Sequence, residues 1–227
     1  HIVDDDQPEQ LVTMEKREAE RILAEQIGAM PELRGVQCSP VVSAGSPFDG
    51  ILRAAAEANA DLVVLGAHRR QLLLDIFTGT TIERVVRLGS FPVLMVNNEA
   101  QRRYAKVVAA VDMSETSANA LRAAVATGLI ADAGATLLHA FMPPAKGKLS
   151  IGGASQARLD EYVESERAHV KGELAAFVAQ NDLAKQRWSV RVDEGFPMDV
   201  ISRRVEELRG DLLVMGGSCQ RTHEHAV

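Results

Sequence analysis

Residues 45–66, GSPFDGILRAAAEANADLVVLG, recur without a gap as residues 195–216, GFPMDVISRRVEELRGDLLVMG, with ten identities in twenty-two positions. The offset is 150 residues at both ends, 195 minus 45 and 216 minus 66. Solenoid repeats run roughly 20–50 residues, so this spacing suits a duplicated globular domain. The shared residues are Gly45 and Gly195, Pro47 and Pro197, Asp49 and Asp199, then an apolar run closing on Gly66 and Gly216. That is the punctuation of a turn, a helix and a buried strand.

Working outward, short β-branched runs alternate with longer amphipathic stretches, the signature of βαβ units and parallel sheet. In the second copy the expected strands are 106–111, 135–141, 188–192 and 211–215, and the expected helices are 114–130, 155–180 and 198–208. The first copy offers a helix over 9–27, a strand over 62–65, a helix over 80–88 stopped by Gly89 and Pro92, and a strand over 91–96. Right-handed crossovers between parallel strands give a doubly wound sheet, with ligands at the carboxyl ends of the strands. The expected fold class is α/β, two Rossmann-like doubly wound parallel sheets in tandem.

His139–Phe141 aligns with His1–Val3, so copy one begins at its second strand and lacks a counterpart of residues 104–138. The expected domains are 1–99, without its first strand and helix, and 104–227, stopping after its fourth strand. A circular permutation in which residues 106–130 complete the first sheet is the competing arrangement; a linear tandem explains the constant offset more simply.

Composition bounds the rest. At 46% hydrophobic, 25% charged and a net charge of −6, the chain reads as an ordinary globular protein and not as a nucleic-acid binder. Cys38 and Cys219 occupy non-equivalent positions, which suggests neither a disulfide framework nor a zinc site. No apolar run approaches the roughly 20 residues that span a bilayer. The expectation is a soluble, cytoplasmic protein without a membrane or nucleic-acid partner.

The stretch with most chemical content is Gly66–Arg70 through Gly79-Thr80-Thr81. A glycine at a strand end, a loop, then Gly-Thr opening a helix can bind phosphate through backbone N–H groups and the positive helix end. Thr80 with Glu83 also fits a capping box, and both readings hold together. His139 inside an apolar strand reads as a hydrogen-bonded core residue, and His223-x-His225 as a tail more than a metal site. Asp4-Asp5-Asp6 complements the positive end of the helix that follows Pro8, with a cation site as the alternative. No Ser-His-Asp or Cys-His arrangement and no carboxylate pair stands out, so no catalytic residue is nominated.

These residues reach a family. Asp61–Gly66, the nine residues from Arg70 to Thr78 before Gly79-Thr80, the helix from Thr81 to Arg87, the strand Phe91–Val96, and Val107–Ser114 ending in Asp112 and Ser114 together resemble the universal stress protein family. The resemblance implies a five-stranded parallel domain of the adenine nucleotide alpha hydrolase-like type, often paired through its last strand. One branch binds ATP or AMP, with Mg only as the nucleotide's companion, and another branch binds no nucleotide. It further implies a stress-response protein acting through nucleotide-dependent or dimer-dependent partner interaction, as a homodimer or an intramolecular pseudo-dimer, and not an enzyme beyond weak ATP hydrolysis. The alternative within the family is a non-nucleotide interaction and dimerisation module.

Carried over residue by residue, copy one offers Val3, Gly66, Gly79, Thr80 and Thr81, and copy two offers Asp112, Ser114, Phe141, Met215 and Gly216. Two departures stand out. The second motif glycine is Arg69 in copy one, where a side chain crowds a phosphate; Arg69 and Arg70 either pair with phosphate oxygens or form a solvated basic loop. Copy two begins the motif as Gly216-Gly-Ser-Cys219 and lacks the Gly-Thr half.

Overall fold

The structure, a computed structural model, describes residues 1–66, 81–97 and 103–216. The chain divides into two compact units, His1–Glu99 and Ala100–Val227. It is a mixed α/β protein, and every strand pair among the described residues is parallel.

The second unit shows the full logic of the repeat. Four strands, β5 (Lys106–Ala110), β6 (Gly134–Phe141), β7 (Trp188–Glu194) and β8 (Leu212–Met215), form one sheet in the order β7-β6-β5-β8. The central β5 is bordered on both sides, with Ala110 opposite Leu138 of β6 and Met215 of β8. Its near-continuous apolar run, with Val107, Val108 and Ala109 each at most 1% exposed, is what a strand covered on both faces requires. The Asp211 carboxylate fixes its start by accepting the Ala105 N–H at 2.9 Å and the Lys106 N–H at 2.8 Å. Because β5 lies inside this sheet, the permuted arrangement does not occur.

Helices cover both faces. On one side α4 (Glu115–Ala126) and α6 (Gln156–Gln180) bury Ala118, Leu121, Val163, Leu174 and Phe177 against Leu137, Phe141 and Val192. On the other side α7 (Pro197–Leu208) buries Val200 against Val108 and Leu138. Each fully buried Leu or Val contributes about 1.5–3 kcal/mol, so these two layers dominate the unit's stability. The expected helix over 114–130 stops at Ala126, because Gly128 takes a left-handed φ of 72° and Thr127 turns its hydroxyl onto the Ala123 carbonyl at 2.8 Å. A short helix, α5 (Lys146–Ile151), sits in a stretch that the sequence pattern left unassigned.

The described residues of the first unit carry parts of the same kind. Strands β1 (Ile2–Val3) and β2 (Ser43–Ala44) pair with each other, and β3 (Val63–Gly66) pairs with β4 (Val93–Val96), as two separate two-stranded sheets. By alignment β1, β2 and β3 correspond to β6, β7 and β8; no described strand stands where β5 stands. The helices are α1 (Glu9–Ala29), α2 (Pro47–Glu57) and α3 (Thr81–Leu88). Among the described residues of this unit only Val3, Gly50, Ala55 and Val85 are buried. No residue of α1 is buried, whereas its counterpart α6 buries four.

The shared turn explains the most visible identity. Gly45 and Gly195 adopt φ of 115° and 141°, a region closed to residues with a Cβ, and Pro47 and Pro197 open the helices that follow, where the missing N–H costs nothing. A differing pair is equally informative. At Gly50 a Cβ would lie 2.3 Å from the Ile2 side chain, whereas the equivalent Val200 is buried beside the smaller Ala140. The two copies fill the same helix–strand contact with the large residue on opposite sides, as close packing demands.

Candidate functional site

In open parallel α/β sheets ligands bind beyond the carboxyl ends of the strands, which in the second unit are the ends of β5, β6 and β8. The turn there is built by Asp112, directly after β5 and Val111. Its Oδ1 accepts the Ser114 N–H at 3.0 Å, the Ser114 hydroxyl, and the Ser117 hydroxyl at 2.6 Å. The Asp112 N–H in turn donates to the Ser117 Oγ at 3.2 Å. Met113, between them, is held at a left-handed φ of 60°, which bends the chain sharply from strand into helix. Ser114 then caps α4, its Oγ accepting the Ser117 N–H at 3.2 Å.

The three contacts that Ser114 and Ser117 make to the carboxylate all use Oδ1, and Oδ2 of the exposed Asp112 takes no side-chain hydrogen bond among the described residues. Partial burial pushes the Asp112 carboxyl up, but the hydrogen bonds from Ser114 and Ser117 together outweigh it and hold the group below its ordinary value. A carboxylate of this kind stays charged at neutral pH and offers one free acceptor edge to hydroxyl or amine donors.

The neighbouring strand ends complete the rim. Gly216, one residue past β8, rests on the first turn of α4: a Cβ there would lie 2.5 Å from the Ser117 nitrogen and 2.7 Å from the Thr116 carbonyl carbon. Met215 is 45% exposed. Phe141, the last residue of β6, is buried, its carbonyl accepts the Gly195 N–H at 3.0 Å, and the Arg167 guanidinium lies over its ring at 5.2 Å. Met142, Phe196 and Met198 are exposed around the same end of the sheet. A hollow of about 340 Å³ lined by Met113, Glu173, Phe177 and Gln180 flanks the turn. A slightly larger one of about 380 Å³ borders Lys106, Gly134 and Leu208, at the amino end of the strands and away from this chemistry.

The structure therefore brings Asp112, Ser114, Met215 and Gly216 to one end of one sheet, with Phe141 on the adjacent strand. In the first unit Val3 ends β1 with its carbonyl on the Gly45 N–H at 3.0 Å, Gly66 ends β3, and Thr81 opens α3. Arg69, Gly79 and Thr80 lie outside the described residues, as do His223 and His225. Ser117, 2% exposed, is the site residue that the sequence reading missed. Its signal was its position three residues after the cap Ser114, where a small polar side chain can turn back to the strand end. His139 is the hydrogen-bonded strand residue expected, its Nδ1 2.7 Å from the Val111 carbonyl. Asp4, Asp5 and Asp6 cluster at the surface ahead of α1, with Asp4 accepting the Asp6 N–H at 3.1 Å.

Among the described residues no helix is long and apolar enough to cross a membrane. The profile of the Universal stress protein family matches residues 2–97 and again 103–226. A universal stress protein from Archaeoglobus fulgidus superposes with a TM-score of 0.66 over 95% of this chain and 72% of its own, at 16% identity. A putative universal stress protein from Pseudomonas aeruginosa gives 0.54 over 94% and 80%, at 17% identity. In sequence, the universal stress protein MJ0577 of Methanocaldococcus jannaschii is 26% identical over 65 residues, and the match spans 40% of that relative's length. With two tandem matches that take in nearly every residue and two parallel α/β units of the corresponding fold, the chain belongs to the universal stress protein family.

Proposed function

We propose that the second unit binds an adenine nucleotide, ATP or AMP, at the carboxyl ends of β5, β6 and β8, and that the protein acts in the cytoplasm by changing its partner interactions and not by catalysis. The observation that carries this reading is the Asp112 carboxylate, charged and fixed through Oδ1 with Oδ2 left to accept. Vicinal hydroxyls of a ribose are the donors such an edge suits. The apolar lining supplied by Met113 and the exposed Met142 and Met215 suits the base. The hydroxyls of Ser114 and Thr116, 2.7 Å apart on the first turn of α4, add further polar contacts.

Binding would stabilise the nucleotide-competent arrangement by preferential affinity, which is how a ligand alters partner binding without chemistry. Mg enters only as the companion of the nucleotide's phosphates. Equilibrium dialysis with ATP and with AMP tests the proposal. Saturable binding that weakens at least about tenfold in Asp112→Ala, a loss of about 1.4 kcal/mol, supports it. Absence of binding to either nucleotide at millimolar concentration assigns the chain to the non-nucleotide, interaction-module branch.

A further inference from the structure

Methionine usually fills irregular gaps in a core, where its flexible thioether adapts to the neighbouring side chains. The second unit uses it otherwise. Of the chain's seven methionines, residues 100–227 hold Met113, Met142, Met198 and Met215, and none of these is buried. Each belongs to a different strand of the sheet, and each stands at the carboxyl end. Met113 follows β5 in the turn after Asp112, Met142 directly follows β6, Met198 lies on the first turn of α7 just beyond β7, and Met215 closes β8. Met142 is 57% exposed, Met198 46% and Met215 45%, while Met113 packs partly against the core. Because β6 and β8 border β5 on either side, Met142 and Met215 flank the strand that leads to Asp112.

The first copy supplies the comparison. At the positions equivalent to Met142, Met198 and Met215 it carries Asp4, Phe48 and Leu65. The repeat therefore does not demand a thioether at any of these places, and leucine or phenylalanine supplies apolar surface without a reactive sulfur. What methionine adds is a site of oxidation. With a hydroperoxide such as hydrogen peroxide, the sulfur lone pair attacks one peroxide oxygen, an S–O bond forms and the O–O bond breaks. The proton on the transferred oxygen passes to the departing hydroxide and gives water, so the sulfur is oxidised to the sulfoxide as the peroxide is reduced. The product is polar where the side chain was apolar.

We infer that Met142, Met198 and Met215 form an oxidation site at the mouth of the second unit, where a hydroperoxide weakens the binding of the adenine nucleotide by turning its apolar lining polar. This control acts on the nucleotide site proposed above and rests on that reading.

Equilibrium dialysis with ATP and with AMP tests it, on the full chain untreated and on the chain treated with hydrogen peroxide and then with dithiothreitol. The dithiothreitol step returns sulfenic acids and disulfides of Cys38 and Cys219 to thiols and leaves methionine sulfoxides in place. Oxidation, followed residue by residue by peptide mass spectrometry, is expected to weaken binding at least about fivefold, and methionine sulfoxide reductases of both epimer specificities are expected to restore it. A triple variant, Met142→Leu, Met198→Leu and Met215→Leu, is compared with its own untreated form. Peroxide is expected to weaken its binding by less than about twofold, since leucine keeps the apolar volume. Unchanged binding by the unaltered chain, with the three methionines oxidised, overturns the inference and leaves the nucleotide reading standing. Equal weakening in the triple variant also overturns it, by placing the sensitive group elsewhere. If the untreated chain binds neither nucleotide, both readings fall together. Should the triple variant fail to fold, the reductases decide: binding that they do not restore overturns the inference.

Discussion

The backbone of Ser117 lies where a side chain at Gly216 would go, 2.5 Å from the position of its Cβ. The end of β8 and the first turn of α4 are in backbone contact, and through Ser117 that contact reaches Asp112. Gly216→Ala forces strand and helix apart and is expected to cost about 1–3 kcal/mol by urea denaturation, the usual range for overpacking. Gly66→Ala meets open space and is expected to change stability by less than about 1 kcal/mol, toward greater stability, since Gly in a strand is the weaker choice. Equal losses at both positions would contradict the difference between the two units.

Asp112 links stability to pH. Its folded pKa is depressed, so its contribution is fully present above the unfolded value of about 3.9 and is lost as pH falls through the folded one. Asp193 acts in the same direction: the Arg204 hydrogen bond holds its carboxyl down against partial burial. Asp112→Asn is expected to lower stability at pH 7 by about 1–2 kcal/mol and to flatten the loss between pH 5 and pH 2. Urea titrations across that window, with Asp193→Asn as the parallel variant, measure both effects.

The exchanged sizes at Gly50 and Ile2 invite a double-mutant cycle. Gly50→Val alone drives a side chain into Ile2 and should destabilise the first unit by about 1–3 kcal/mol. In an Ile2→Ala background the same change recreates the pairing of Val200 with Ala140 and should cost much less, giving a coupling of about 0.5–3 kcal/mol. Additive effects would show that the two residues do not share one packing site.

Core truncations should fall unequally. Leu174→Ala empties a fully buried position between α6 and the sheet and is expected to cost about 2–5 kcal/mol. Met14→Ala, on α1, removes an exposed side chain and should stay within about 0.5 kcal/mol. Thermal or urea unfolding followed by a probe in each unit checks the pair.

The sequence carried the fold because its decisive residues answer local demands. Gly45 and Gly195 are needed by positive φ, Pro47 and Pro197 by a helix start, and the run at β5 by burial on two faces. Asp112 and Ser114 were legible as a strand end and a helix cap. Ser117, the tie between Asp112 and α4, was not, because its role rests on a chain reversal at Met113 that periodicity does not reveal. The strand β2 and helix α5 also escaped the pattern: two residues of strand and six of helix show too little period to read.

Amide hydrogen exchange of the unliganded chain tests most directly that this polypeptide holds two units of one repeat, of which the second has the more deeply buried sheet. Amides of Val107–Ala110 and Thr136–Leu138 are expected to exchange at least about 100-fold more slowly than those of Ile2, Val3 and Val63–Leu65. Equal protection of the two sets would contradict the account.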